Sequence, residues 1–335
     1  MDILSKVYDK TFASWAADKP HVIVFSADLT SSVEVDSFKE RFPERFFSMG
    51  MTEQNMLSMA GGMARQGFFP YVHTFAVFIY RRAYDQICDS VAYPNLPVRM
   101  VGFLPGILTP GGITHQAVED VAVLRSLPNM TILEVGDATE IETVLDVAQA
   151  VRGPVYLRML RGEVPRLFPR SEPFAFNRAR HLTRGKDITL FSSGVCTEEA
   201  MRAIPVLMDR GVSVEHLHVS TLKPFTDPAV LEAALQSRQG VITFENHSII
   251  GGLGSCVAEL MAENGVGGKL RRLGLKDVFA HGASRPYLMK EYGLDALALV
   301  RAVEGLLGTD LGIAESDLRA VRLQEVHSAA KAEAL

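Results

Sequence analysis

Several things that would have decided the class of this sequence early are scarce or missing. It has three cysteines, Cys88, Cys196 and Cys256, scattered and odd in number. That excludes a disulfide framework, and it leaves no paired spacing for a structural zinc. No Lys/Arg cluster occurs and the formal net charge is −5, so a nucleic-acid footprint is excluded. No apolar run is long enough to cross a bilayer. The start, MDILSKVYDKTFASW, lacks the basic-then-apolar order of a signal peptide, so a cytoplasmic protein is expected. Also missing are a G-x-G-x-x-G after a strand and a G-x-x-x-x-G-K-[ST], which excludes a Rossmann fingerprint and a P-loop. No low-complexity tract or short internal repeat is found, and no metal ligand set is expected on this chain.

What remains is a sequence of 335 residues, 47% hydrophobic and 22% charged, which suggests about two globular domains. Short β-rich apolar runs alternate with amphipathic stretches. Strands are predicted over 21–28, 69–74, 98–103, 131–135 and 155–160, then over 188–193, 212–219, 241–245 and 270–275. Runs such as VIVF and ITLF are apolar on both faces, as in strands covered on both sides. Helices are predicted over 53–66, 80–92, 116–126, 138–150, 197–210 and 228–236. Alternation of this kind implies α/β architecture with parallel sheets. Around 161–186 the pattern breaks in an arginine-rich stretch with prolines at 165, 169 and 173. The expected division is a first α/β domain over 1–165, a linker over 166–185, a second α/β domain over 186–320 and a tail over 321–335.

Three stretches carry candidate chemistry. In SMGMTEQNM a strand ends at Gly50, Thr52 is placed to cap a helix, and Glu53 falls in its first turn. That is the carboxyl edge of the sheet, where open α/β folds bind ligands. The helix behind is mostly apolar or small, so Glu53 should be buried, with desolvation and the helix dipole acting in opposite senses. An ordinary helix-start glutamate is the plain alternative. In HTFAVFIYRRAYDQ, Phe75 and Phe78 follow a strand and either wall a flat ring or simply pack the core. Arg81, Arg82 and Asp85 are spaced to pair locally on a helix. In TPGGITHQAVED a Pro-Gly-Gly loop delivers His115 to a helix start that Thr114 is placed to cap. His115 is a polar contact, a proton shuttle or a surface residue.

Taken together and in order, these stretches resemble the C-terminal portion of transketolases, and the small subunit of transketolases split over two chains. The likeness rests on ADLTSS (27–32), MGMTEQNM (49–56), HTFAVF (73–78), RAYDQI (82–87), GGITHQAVEDVAVLRSLPNM (111–130), GPVYLRMLRGE (153–163), DITLFSSG (187–194) and ENHSIIGGLGS (245–255). It implies two parallel-sheet domains, the pyrimidine-binding domain and the transketolase C-terminal domain, and thiamine diphosphate as cofactor. Glu53 matches the glutamate that hydrogen-bonds the cofactor's aminopyrimidine and activates it. Phe75 and Phe78 match the aromatics that pack that ring, and Asp28 and Leu29 match positions lining the cofactor. His115 matches the histidine that contacts the reacting substrate. Ser32 and Arg161 match positions that hold a sugar phosphate.

There are three departures from the family pattern. No GDG occurs, so the domain that holds diphosphate and a magnesium or calcium ion is expected on a partner N-terminal subunit. A heterotetramer with two copies of each chain follows by symmetry. Phe103 and Gly111 stand where transketolases of phosphosugars carry a histidine and an aspartate, and an arginine expected before Leu4–Ser5 is missing. The resemblance thus implies ketol transfer from a ketose to an aldose acceptor with an atypical sugar, the changed ring at 103 lying in the substrate funnel. Two other enzymes stay open, a deoxyxylulose-phosphate-synthase-like protein and a 2-oxo-acid dehydrogenase beta subunit. So does a non-catalytic regulatory subunit, in which Glu53 would be dispensable.

Overall fold

The computed structural model describes residues 2–320, and the expected tail over 321–335 lies outside the described residues. The strands are β1 (Ile3–Ser5), β2 (Val22–Ser26), β3 (Phe46–Ser48), β4 (Phe69–Phe75), β5 (Arg99–Phe103), β6 (Thr131–Glu134), β7 (Val155–Met159) and β8 (Glu163–Pro165). They continue with β9 (Arg180–Thr183), β10 (Ile188–Ser192), β11 (Val214–His218), β12 (Thr221–Lys223), β13 (Gly240–Ser248) and β14 (Leu270–Leu275). The runs that are apolar on both faces became central strands: β2, β5, β7 and β10 are buried along their whole length. The first sheet has the order β12-β6-β7-β5-β4-β2-β3 and the second β14-β13-β10-β11-β9. Within them, only β12 and β9 run antiparallel to their neighbours. The two parallel-dominated sheets with flanking helices are the α/β architecture the alternation implied.

One element that the sequence did not announce, β12, ties the halves together. β12 follows β11 of the second sheet, yet it adds to the edge of the first, against β6. Lys223 on it donates to the Arg125 carbonyl at 2.8 Å and also to that of Leu127. β1 and β8 form a small antiparallel pair beside the first sheet. Such pieces are too short to show a period, and they exist only because of their partner strands.

Between the two sheets lies a buried charge cluster centred on Arg158 of β7, whose side chain is 1% exposed. Its Nε donates to Asp120 Oδ2 at 2.9 Å, its Nη1 to the Glu134 carboxylate, and its Nη2 to the Asn246 carbonyl at 3.0 Å. Tyr156 donates a further bond to Asp120, at 2.7 Å. Burial works against the guanidinium charge, but the two carboxylates outweigh it and hold its pKa above the ordinary arginine value. Asn246 comes from the second domain, and its amide spans Pro105 O and the Ile107 amide of the first, both at 3.0 Å. Gly106 between them has φ +64°, and a Cβ there would run into the Asn246 amide. The position therefore requires glycine twice over.

Some boundaries moved for physical reasons. The predicted 80–92 helix begins four residues early, as Ala76–Gln86, and Ile87–Ala92 continues it as a π turn. The predicted 116–126 helix is only Asp120–Arg125. Residues 116 and 117 are otherwise engaged: Ala117 exchanges backbone bonds with Gly106, at 2.8 and 3.2 Å.

Removing Arg158 leaves Asp120 and Glu134 buried without their cation. Arg158→Met is expected to lower stability by about 3–5 kcal/mol, read as an earlier urea midpoint of the full chain. A loss below about 1 kcal/mol would show that the cluster is not what joins the sheets.

Candidate active site

Glu53 opens the helix Glu53–Arg65 and is 2% exposed. Thr52 does not cap that helix; its hydroxyl turns back to the Met49 carbonyl at 2.8 Å. The carboxylate is fixed from another element, by Arg82 Nη1 on Glu53 Oε1 at 2.8 Å. The rest of the helix is not wholly buried: Gln54, Asn55, Ser58 and Met59 form an exposed face.

Arg82 also lies over the Phe78 ring, with its guanidinium carbon 4.0 Å from the centroid. Phe78 stacks on Phe75 at 5.9 Å and 25°. His115 meets both rings edge-on, at 6.3 Å from Phe75 and 5.4 Å from Phe78. Glu53, Arg82, Phe78, Phe75 and His115 thus form one continuous cluster at the carboxyl ends of β3, β4 and β5.

The histidine is delivered by a loop and not by a helix start. Gly112–Thr114 make a single 3-10 turn with Gly112 at φ +67°. Thr114 caps nothing; its hydroxyl sits 2.9 Å from His115 Nδ1. Arg81 braces the loop, donating to Ile113 O at 2.9 Å and to Glu119 at 2.8 Å. The expected local pairing of Arg81 and Arg82 with Asp85 therefore does not form. Both arginines reach out of their helix, one to the histidine loop and one to the glutamate. Sequence reasoning missed these roles because i, i+3 spacing says nothing about a partner on another element. Behind the cluster, burial drives the His73 pKa down to about 3, and its Nε2 meets the Tyr8 hydroxyl at 2.8 Å.

Ser32 and Arg161 meet beside Phe75. Arg161 Nη1 donates to the Ser32 carbonyl at 2.8 Å, and its guanidinium carbon lies 5.9 Å from the Phe75 ring centre. Both line a cavity of about 1170 Å³ between the domains. Asp28 and Leu29 follow β2, next to β4 in the sheet; Asp28 is exposed at φ +59° and Leu29 packs against the core.

The two departures turn out differently. Phe103 does not lie in a substrate funnel. It is fully buried, edge-on to Tyr8 at 5.3 Å, and Leu104 at φ +55° lines the cavity instead. Gly111 does touch the site, since a Cβ there would stand 2.9 Å from the His115 ring. Among the described residues, no group of His, Cys, Asp or Glu side chains is arranged to hold a metal ion. No helix among them is long and apolar enough to cross a membrane.

Two family models match the chain: the transketolase pyrimidine-binding domain over residues 4–166 and the transketolase C-terminal domain over 177–299. A putative transketolase C-terminal section from Methanocaldococcus jannaschii is 36% identical over 303 residues, 90% of this chain and 95% of that protein. The 6-deoxy-6-sulfo-D-fructose transketolase subunit SqwH of a Clostridium species is 37% identical over 300 residues, 89% and 92% of the two. Among solved structures, a split-gene transketolase described as an inactive beta4 tetramer superposes with a TM-score of 0.81 at 35% identity, covering 90% of this chain and 97% of that one. With both domain models in order, and relatives of this similarity over nearly all of their own length, the chain belongs to the transketolase family, as a pyrimidine-binding domain followed by a transketolase C-terminal domain.

Proposed function

We propose that this chain is the small, cofactor-activating subunit of a thiamine-diphosphate-dependent transketolase. It would transfer a two-carbon ketol unit from a ketose or ketose-phosphate donor to an aldose acceptor, and act only with a second chain. The observation that carries the reading is the buried Glu53 carboxylate, fixed by Arg82 against the Phe75–Phe78 wall with His115 at its edge.

The residues fit one half of the cofactor. A carboxylate shielded from water beside two stacked aromatic faces suits a flat, protonatable heterocycle. When bound, thiamine diphosphate would supply the nucleophilic carbon and the electron sink for breaking and remaking the donor's carbon–carbon bond. Glu53 would hold a proton at the pyrimidine ring nitrogen, in a site where a carboxylate's partner counts for more than in water. Phe75 and Phe78 would orient that ring, with Asp28 and Leu29 lining it. With Thr114 on Nδ1, His115 keeps Nε2 for the donor's hydroxyl or carbonyl oxygen. Arg161 and Ser32 would receive the far end of the donor.

The other half of the cofactor, diphosphate with magnesium or calcium, would belong to a partner N-terminal subunit carrying the GDG motif. The partner would have apolar side chains to cover on the Glu53 helix and the segments packed against it: Met51, Met59, Tyr84 and Tyr93 are exposed at 75%, 41%, 37% and 88%. Exposed apolar residues gathered in this way mark an interface, and two copies of each chain would close it. The relative named for 6-deoxy-6-sulfo-D-fructose supports a donor outside the ordinary pentose phosphates.

The isolated chain is expected to show no ketose turnover with thiamine diphosphate and magnesium, and activity is expected on mixing with a GDG-bearing partner. Turnover by the chain alone, in a coupled aldehyde assay, would refute the division of labour. In the mixed complex, Glu53→Gln is expected to lower kcat by about a hundred- to ten-thousandfold while the melting curve stays in place. Retention of more than about a tenth of the wild-type rate would leave the regulatory-subunit reading standing instead.

A further inference from the structure

Lys6 occupies an unusual corner. It is the last residue before the helix Val7–Trp15 and sits at φ 50°, ψ 49°, the left-handed region that residues with a side chain avoid. The conformation is held from outside: its amide donates to the Gly162 carbonyl at 3.1 Å, and Ser5 pairs with Glu163. The corner is therefore pinned one residue away from Arg161. Lys6 is exposed, and it lines the same interdomain cavity as Ser31, Ser32 and Arg161.

Four other cations of that cavity are held by carboxylates. Arg202 pairs with Glu199 and Arg285 with Glu198, both at 3.5 Å. Lys290 and Arg319 share Glu315, at 3.0 and 2.7 Å. Arg161 gives Nη1 to the Ser32 carbonyl and stands over Phe75. Nearby Glu34 spends its carboxylate on the Gly162 amide at 2.7 Å. Among the described residues, Lys6 is the cavity cation to which no carboxylate or carbonyl is bound. A left-handed backbone held at the cavity wall, on a lysine whose ammonium no carboxylate takes up, is an outlier that calls for a ligand.

We propose that Lys6 is a specificity-determining residue, whose ammonium receives the anionic end group of the ketose donor, a phosphate or a sulfonate, beside Ser32 and Arg161. The proposal rests on the ketol-transfer reading above for the donor's identity, and on the cavity alone for the anion. Lysine suits the task as a compact point charge on a flexible stem.

The test uses Lys6→Gly, which accepts φ +50° without strain and removes the side chain with its ammonium, and Lys6→Arg as the charge-keeping control. In calorimetric titrations of the full chain with inorganic phosphate and with methanesulfonate, at least one ion is expected to bind. Lys6→Gly should weaken that binding about tenfold or more, while Lys6→Arg keeps it. In the reconstituted complex, Lys6→Gly should cut kcat/KM about ten- to a hundredfold for 6-phospho or 6-sulfo ketoses, through KM, with less than about a twofold change for the uncharged ketose. The donor with the larger loss identifies the end group. Equal losses for charged and uncharged donors, or ion binding that ignores Lys6, would overturn the proposal. Lys6-dependent ion binding without turnover of any ketose would uphold the anion site and refute the ketol-transfer reading.

Discussion

Where His115 stands depends on how the two domains are joined, and the joint nearest its loop is built around the guanidinium of Arg158. It is buried, which is costly, and it is tolerated because two carboxylates and a carbonyl take up its donors. Asp120, one of those carboxylates, starts the helix that follows the His115 loop. Asn246, which supplies the carbonyl, pins 105–107 with its side chain. The loop carrying His115 thus runs between two points fixed by one charge cluster. The second domain also reaches the loop directly, where the Gln116 amide donates to the His281 carbonyl at 3.2 Å. A domain that contributes none of the proposed catalytic side chains nevertheless sets where one of them stands.

The same logic explains the division within the first domain. Its parallel sheet brings the ends of β3, β4 and β5 together, so residues 53, 75 and 115, distant in sequence, become neighbours. The stacked aromatic faces and one shielded carboxylate at these strand ends suit a flat ring.

Legibility followed length and locality. The long apolar strands and the helices Glu53–Arg65, Ala138–Ala150 and Pro228–Gln236 could be read because burial on both faces or a helical period was written into them. β1, β8, β9 and β12 could not, since three or four residues carry no period and a distant strand defines each. The residue types at 53, 75, 78 and 115 were legible through the order of their motifs, and their clustering follows from the topology. Arg81 and Arg82 were misread because a local partner, Asp85, was available in sequence and the actual partners were not. Phe103 was misplaced because it ends β5 with its ring in the core, and the cavity received Leu104, the residue just past the strand.

The central claim is that Glu53 activates a cofactor whose remaining contacts come from a second chain. The direct measurement is hydrogen–deuterium exchange at the reactive carbon of thiamine diphosphate, acid-quenched and read by NMR, in the two-chain complex and in each chain alone. The account predicts exchange far faster than for free cofactor in the complex only, and a collapse toward the free rate when Glu53 is glutamine. Fast exchange that survives Glu53→Gln, or that appears with this chain alone, would contradict it.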